Sequence, residues 1–272
     1  MKGDLISING KLLRQEEIPV PFDRLTSSNF IYQRMHTLDR RVLQAATHVQ
    51  LAETTYISLY GTGSGIAEES LKEETTAILT ANRYMHGSVS VILYLFPNGN
   101  GTPLRILSCE KQLLYKGYAL WHKGEKAIIL PYEYPFPHFK TALSLTAGSY
   151  AAQYAKTKGA GIAISENKAG VLYGAGDEPL FAVIGNDVLT TPIGQGACDS
   201  VERRLALAAC EKAEKRVVEA PLTAELLDEY QELFIATNGG ITSIKECNGN
   251  IYPNSTAHKV AEMMQHFTYT DL

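Results

Sequence analysis

The sequence predicts an α+β fold in two domains, and three observations carry that expectation. Helical periodicity is confined to a handful of segments, and short β-rich runs bounded by turn residues lie between them. Leu130 to His138 holds three prolines in nine residues. Such a stretch cannot be helical and reads as a stiff, extended linker. It divides the chain into a first domain over 1–130, a linker over 131–138 and a second domain over 139–272.

Taken in order, Leu5 to Leu13 contains Asn9-Gly10, a strong two-residue hairpin signal. Arg41 to Glu53 carries Val42, Leu43, Ala45, Ala46, Val49 and Leu51 at near-helical spacing, so an amphipathic helix is expected there. Thr62-Gly63-Ser64-Gly65 is a loop, and Glu68 to Ala81 a second helix. Its Gly-x-Gly lacks the residues that would complete a nucleotide-binding loop. Ser88 to Phe96 is β-rich and closes at Pro97-Asn98-Gly99. Beyond the prolines, Thr141 to Lys158 is a helix rich in Ala, Leu and Tyr, ended by Gly159. Strands follow over Gly161–Glu166, Val171–Tyr173, Leu180–Ile184 and Val188–Thr191, with turns at 167–170 and at Gly185-Asn186-Asp187. Helices are expected from Val201 to Lys215 and from Ala224 to Tyr230. A strand over Glu232–Thr237 leads to a hairpin at Asn248-Gly249, and a last helix runs from Thr256 to Phe267.

Composition narrows the functional classes. The chain has 272 residues, 45% hydrophobic and 20% charged, with a net charge of −4. It is long enough to bury a sizeable core, and ordinary enough to set aside disorder and fibrous repeats. No apolar run approaches the roughly 18 residues that span a bilayer, and the first residues lack a signal-peptide core. Dispersed mild acidity offers no footprint for nucleic acid. Cys109, Cys198, Cys210 and Cys247 lie far apart, without zinc spacing, and the seven histidines form no paired-ligand motif. The expectation is a cytoplasmic protein with no metal, no membrane anchor and no nucleic-acid partner.

From Lys140 onward the order of segments resembles the class IV aminotransferases, pyridoxal-phosphate (PLP) enzymes of fold type IV. That family includes branched-chain aminotransferases, D-amino-acid aminotransferase and aminodeoxychorismate lyase. Thr191-Pro192, Ser200-Val201-Glu202-Arg203, Glu232-Leu233-Phe234-Ile235-Ala236-Thr237 and Ile241-Thr242-Ser243-Ile244 carry the likeness. Asn9-Gly10, Asp23-Arg24 and His48 follow the family order in the first half. The resemblance implies a two-domain fold with a cofactor cleft between the domains, and a homodimer. It also implies chemistry on an amino acid or an amino-chorismate.

A PLP enzyme needs a lysine whose uncharged amine forms an imine with the cofactor. The resemblance puts Lys140 there, in His138-Phe139-Lys140-Thr141, although Leu143 and Ser144 replace the usual Asn-Tyr pair. Read alone, Lys140 is an ordinary lysine at a helix start. The family also needs a carboxylate facing the pyridine nitrogen, and Tyr173 stands at that position. Asp177 and Glu178 follow it; either could reach back through the Gly-rich loop and take the place of that acid, and they read first as solvated loop residues. The phosphate belongs at a helix N-terminus, where unpaired N–H groups and the dipole favour an anion. The matching positions are Ser200, Val201 and Glu202, with Thr237 and Asn238 nearby, and Leu51 stands where the family has a phosphate arginine. Asp199-x-x-Glu202 has capping-box spacing, a purely structural reading worth about 1 kcal/mol. Arg34 is the candidate for a substrate carboxylate, beside Tyr32 and Gln33.

Two functions follow. One is a PLP-dependent transaminase or aminodeoxychorismate lyase working through Lys140. The other is a family descendant that no longer binds PLP and acts as a binding or regulatory protein.

Overall fold

The computed structural model describes residues 4–17, 29–98 and 102–272, so Asp23, Arg24 and Gly99 lie outside the described residues. Two compact units emerge. The first comprises the chain through Gly117 together with 140–142, and the second comprises 118–139 and 143–270. The division falls at Gly117/Tyr118, ahead of the proline-rich stretch.

The first unit is an antiparallel sheet with two helices on one face. Strands β1 (Leu5–Ile8) and β2 (Lys11–Arg14) form the expected hairpin, with Ile8 opposite Lys11. Asn9 (φ 48°) and Gly10 (φ 84°) supply the two positive φ values that a tight hairpin turn of matching twist needs. Strands β3 (Ile31–Leu38), β4 (Arg41–Val42), β5 (Ser88–Phe96) and β6 (Leu104–Gln112) complete the order β2-β1-β6-β5-β3-β4. All nine residues of β5 are buried, as suits a central strand. Helix α1 spans Ala45–Tyr60 and α2 spans Glu68–Ala81.

The helix expected over 41–53 therefore begins later and runs further. Arg41 and Val42 are held as a strand against Leu38 and Thr37 by a two-residue turn, Asp39-Arg40, with φ 48° and 70°. The helix starts only after Gln44. Ala45, Ala52 and Tyr56 of α1 and Leu71, Ile78 and Leu79 of α2 bury against Met35, Val91, Leu93, Leu107 and Cys109 of the sheet. Each large side chain so buried contributes roughly 1.5–3 kcal/mol.

The second unit contains β7 (Ala119–Pro131), α3 (Ala142–Thr157), β8 (Ile162–Glu166), β9 (Val171–Ala175), β10 (Glu178–Ile184) and β11 (Asp187–Thr190). It continues with α4 (Val201–Lys212), β12 (Arg216–Glu219), β13 (Leu222–Thr223), β14 (Glu232–Thr237), β15 (Gly240–Cys247), β16 (Asn250–Ile251) and α5 (Ser255–His266). The pairings β7–β8, β8–β9, β9–β10, β10–β14, β14–β15 and β15–β7 close a ring. Closure removes free edges along those strands. Leu172, Leu180, Ala182, Leu233, Ile235 and Ile244 belong to its core.

Two elements correct the sequence reading. The segment over 224–230 is a three-residue 3-10 turn, Ala224–Leu226, not a helix. The helix expected to reach Lys215 stops at Lys212, where Glu214 turns to φ 58° and Lys215 N–H bonds Cys210 O at 3.0 Å.

Candidate functional site

Lys140 and Arg34 belong to the first unit. Lys140 is 3% exposed, and its carbonyl accepts from Tyr32 N–H at 3.0 Å. Ala142 N–H bonds Phe30 O at 2.9 Å, and Thr141 bridges Ile31, so the segment carrying the lysine lies along the start of β3. Two residues further on β3, Arg34 donates from Nε to Glu110 Oε2 at 3.2 Å, and its Cζ sits 5.7 Å from the Tyr32 ring centroid. Glu110 Oε2 also accepts from Ser90 Oγ at 2.8 Å. The charge of Arg34 is thus already met by a carboxylate and a ring face. Gln33 and His48 are both buried and joined, Oε1 to Nδ1, at 3.1 Å. Sequence reasoning noted these two separately, and no local signal links β3 to α1. Leu51, on α1, is buried.

The remaining candidates belong to the second unit. Tyr173 is 1% exposed on β9 and donates its phenol to Tyr132 O at 3.0 Å. Its ring packs with Tyr134 and Ala147, and a Cβ placed on Gly196 would come 3.2 Å from Tyr173 Cγ. Burial pushes the phenol up to about 12, so it is a neutral donor at physiological pH. Tyr134, which the sequence reading left unassigned within the proline stretch, bonds Gly176 O at 3.0 Å.

Helix α4 opens with Ser200 as its N-cap, and Ser200 Oγ accepts from Arg203 N–H at 3.1 Å. This corrects the capping box: Asp199 is not the cap. It forms a two-point pair with Arg204, at 3.1 and 3.0 Å. Arg203 is buried and reaches back to Thr191 O and to Glu219. Thr191 in turn donates to Leu172 O at 2.6 Å. Through Thr191 the start of α4 and the strand of Tyr173 are held in one locality. Val201 and Glu202 follow the cap, both buried, and Glu202 is 4% exposed in the first turn, where the dipole favours a carboxylate.

Thr237 ends β14. Its hydroxyl donates to Gly240 O at 3.2 Å and accepts from Gly239 N–H at 3.2 Å, so it is engaged inside its own turn, beside Asn238. Among the described residues no group of three His, Cys, Asp or Glu side chains is placed to hold a metal ion. All four cysteines are free and buried. No helix of the described residues is long and apolar enough to cross a membrane.

A model of the amino-transferase class IV family matches residues 35–247, most of the chain. The chain belongs to the class IV aminotransferase family. Its fold is that of the family's solved members. It is similar to a branched-chain aminotransferase from Thermoproteus uzoniensis, at TM-score 0.81 and 18% identity over 98% of this chain and 95% of the other. The branched-chain amino acid aminotransferase from Escherichia coli gives 0.80 and 17%, over 97% and 92%. A putative 4-amino-4-deoxychorismate lyase from Legionella pneumophila gives 0.76 and 16%, over 90% and 93%. No curated protein sequence matches the chain.

PLP placed as the family order implies would need three things: a reactive lysine, an acid at the pyridine nitrogen and an anion-binding helix start. Lys140 is a buried amine and suits the first. Tyr173 is a packed phenol whose proton is committed to a carbonyl, not a carboxylate. Glu202 puts a buried carboxyl group in the first turn of α4 where the family has a threonine, Thr237 is engaged within its turn, and Leu51 offers no charge. The residues present do not fit the phosphate or the pyridinium.

Proposed function

We propose that this family member keeps the fold without using PLP, and works as a non-catalytic binding or regulatory protein. Glu202 carries the reading. It is a buried carboxylate in the first turn of the helix whose N-terminus the family would give to the phosphate. Two like charges ~4 Å apart repel by about 4 kcal/mol at an effective dielectric near 20, enough to cost nearly a thousandfold in affinity. Leu51 and Tyr173 add to this, since neither supplies the charge its position would need.

A second reading keeps the enzyme, a PLP-dependent aminotransferase or aminodeoxychorismate lyase taking an amino acid or amino-chorismate. The burial of Lys140 favours it, because the family order puts the imine-forming amine at this position and a site closed to water suits that chemistry.

Visible absorbance of the purified chain, titrated with PLP, separates the two. The wild type is expected to stay colourless, and Glu202→Thr combined with Leu51→Arg to gain uptake. A yellow wild type that loses its colour in Lys140→Ala overturns the first reading. A double variant that behaves as the wild type removes Glu202 and Leu51 as the cause.

A further inference from the structure

The two tight hairpin turns of the first unit are made differently. Between β1 and β2 the turn is Asn9-Gly10, the pair that such a turn prefers. Between β3 and β4 it is Asp39-Arg40, and Arg40 adopts φ 70° where glycine would be unstrained. Two bonds impose that backbone: Asp39 N–H to Gly87 O at 3.0 Å and Gly87 N–H to Asp39 Oδ1 at 2.8 Å. They do not require an arginine, and strain that persists at one residue points to what its side chain does. The Arg40 side chain is itself incompletely satisfied. Nη1 donates to Thr80 Oγ1 at 3.3 Å on the exposed side of α2, and Nε is buried without a partner. A buried donor left unpaired is destabilising, so the arrangement is short of an acceptor.

Arg40 lines a surface hollow of about 260 Å³ together with Asp39, Arg41, Val42, Lys72 and Thr76. The lining therefore carries three positive side chains against one carboxylate, in a chain whose net charge is −4. That carboxylate, Asp39, is turned to Gly87 N–H. Lys72 pairs with Glu68 at 2.6 Å and with Glu69 at 3.0 Å, but all three are well exposed, and such pairs hold weakly. Thr76 donates its hydroxyl to Arg40 O at 3.3 Å, which ties α2 to the turn. Val42 is the only apolar lining residue, so the hollow has little to grip a larger body.

We propose that this hollow binds inorganic phosphate, with Arg40 as its main ligand and with Arg41 and Lys72 supplying further charge. A phosphate group carries roughly −1.5 to −2 at pH 7, which matches three cations less one carboxylate. Its paired oxygens suit the Nε–Nη2 edge of a guanidinium, and one of them would give the buried Nε its acceptor. Partly exposed cations bind weakly, so the affinity is expected to be on the order of a millimolar. The micromolar PLP that tests the cofactor site leaves this one empty. The inference stands apart from whether PLP binds.

Phosphorus-31 NMR linewidths of inorganic phosphate titrated with the full chain, at an ionic strength held constant with chloride, test it. The wild type is expected to broaden the signal, and to melt higher as phosphate replaces chloride. Arg40→Gly relieves the turn, so it is expected to melt no lower than the wild type in chloride while its phosphate affinity falls at least tenfold. Arg41→Gln is expected to weaken binding several-fold, and Lys245→Gln, exposed in the second unit, to leave it as it was. A wild type that neither broadens the signal nor shifts its melting overturns the proposal. So does an Arg40→Gly chain that keeps its affinity, or one that melts lower in chloride, because the arginine would then be held for α2 alone. A loss in Lys245→Gln as large as in Arg41→Gln overturns it too, since net charge would then be the cause. If Arg40→Gly misfolds, undiminished binding by Arg41→Gln overturns it instead.

Discussion

Tyr173 shows how one side chain decides what a position can do. Its phenol is buried, bonded to Tyr132 O and raised from 10.0 to about 12. The thiols of Cys109 and Cys247 are raised by burial from 9.0 to about 11, and that of Cys210 to about 12. These acids are neutral in the folded state and ionise more readily in the unfolded one. Their contribution is therefore complete below about pH 9 and is lost as pH climbs through 9–12. Urea midpoints measured across that range should fall steadily, and Tyr173→Phe should flatten the part of the fall above pH 10. At neutral pH the same variant should lose about 1 kcal/mol, the worth of one buried hydrogen bond. A variant as stable as the wild type at every pH would mean that the phenol's bond contributes nothing.

At the level of elements, two helix starts are capped in different ways. Helix α4 is capped locally, by Ser200 on Arg203 N–H, and Ser200→Ala should cost about 1 kcal/mol in urea unfolding. Helix α5 makes no side-chain cap from its own Asn254. Its donors go instead to Glu232 on β14, which accepts from Thr256 N–H at 2.7 and 2.9 Å, Ala257 N–H at 3.0 Å and Ser255 Oγ at 2.7 Å. Glu232→Gln keeps the shape and gives up the charge-assisted acceptor, so a loss of roughly 2–3 kcal/mol is expected in the same measurement. The β14–β15 turn is less forgiving. Gly240 sits at φ 124°, and a Cβ there would lie 2.1 Å from Ala119 O. Gly240→Ala must push β7 off β15, and a drop of about 3 kcal/mol or an insoluble product is expected.

At the scale of the whole molecule, ligand binding and stability are linked. A ligand that binds only the folded state raises its melting temperature with concentration. If PLP has no site here, melting curves should be unmoved by added PLP, whereas the Glu202→Thr, Leu51→Arg double variant should melt higher as PLP is added. Much of the architecture was legible from local pattern. The Asn9-Gly10 hairpin, helix α2, strand β5, the Gly159 helix end and strand β14 follow from periodicity and turn chemistry acting over a few residues. So did the family, because motif order survives where identity is low. Other features depended on residues distant in the chain. Strand β7 runs parallel between β15 and β8, and nothing near residue 119 encodes partners that lie up to 121 positions away. The same holds for Glu232 capping α5 and Arg34 meeting Glu110. The sequence by itself determined many of the local segments, among them the Asn9-Gly10 hairpin, helix α2 and strands β5 and β14, and the family they compose. The tertiary structure alone decided how the buried polar groups are matched, because satisfying a donor out of water depends on what folding brings within 3 Å of it, whatever its place along the chain.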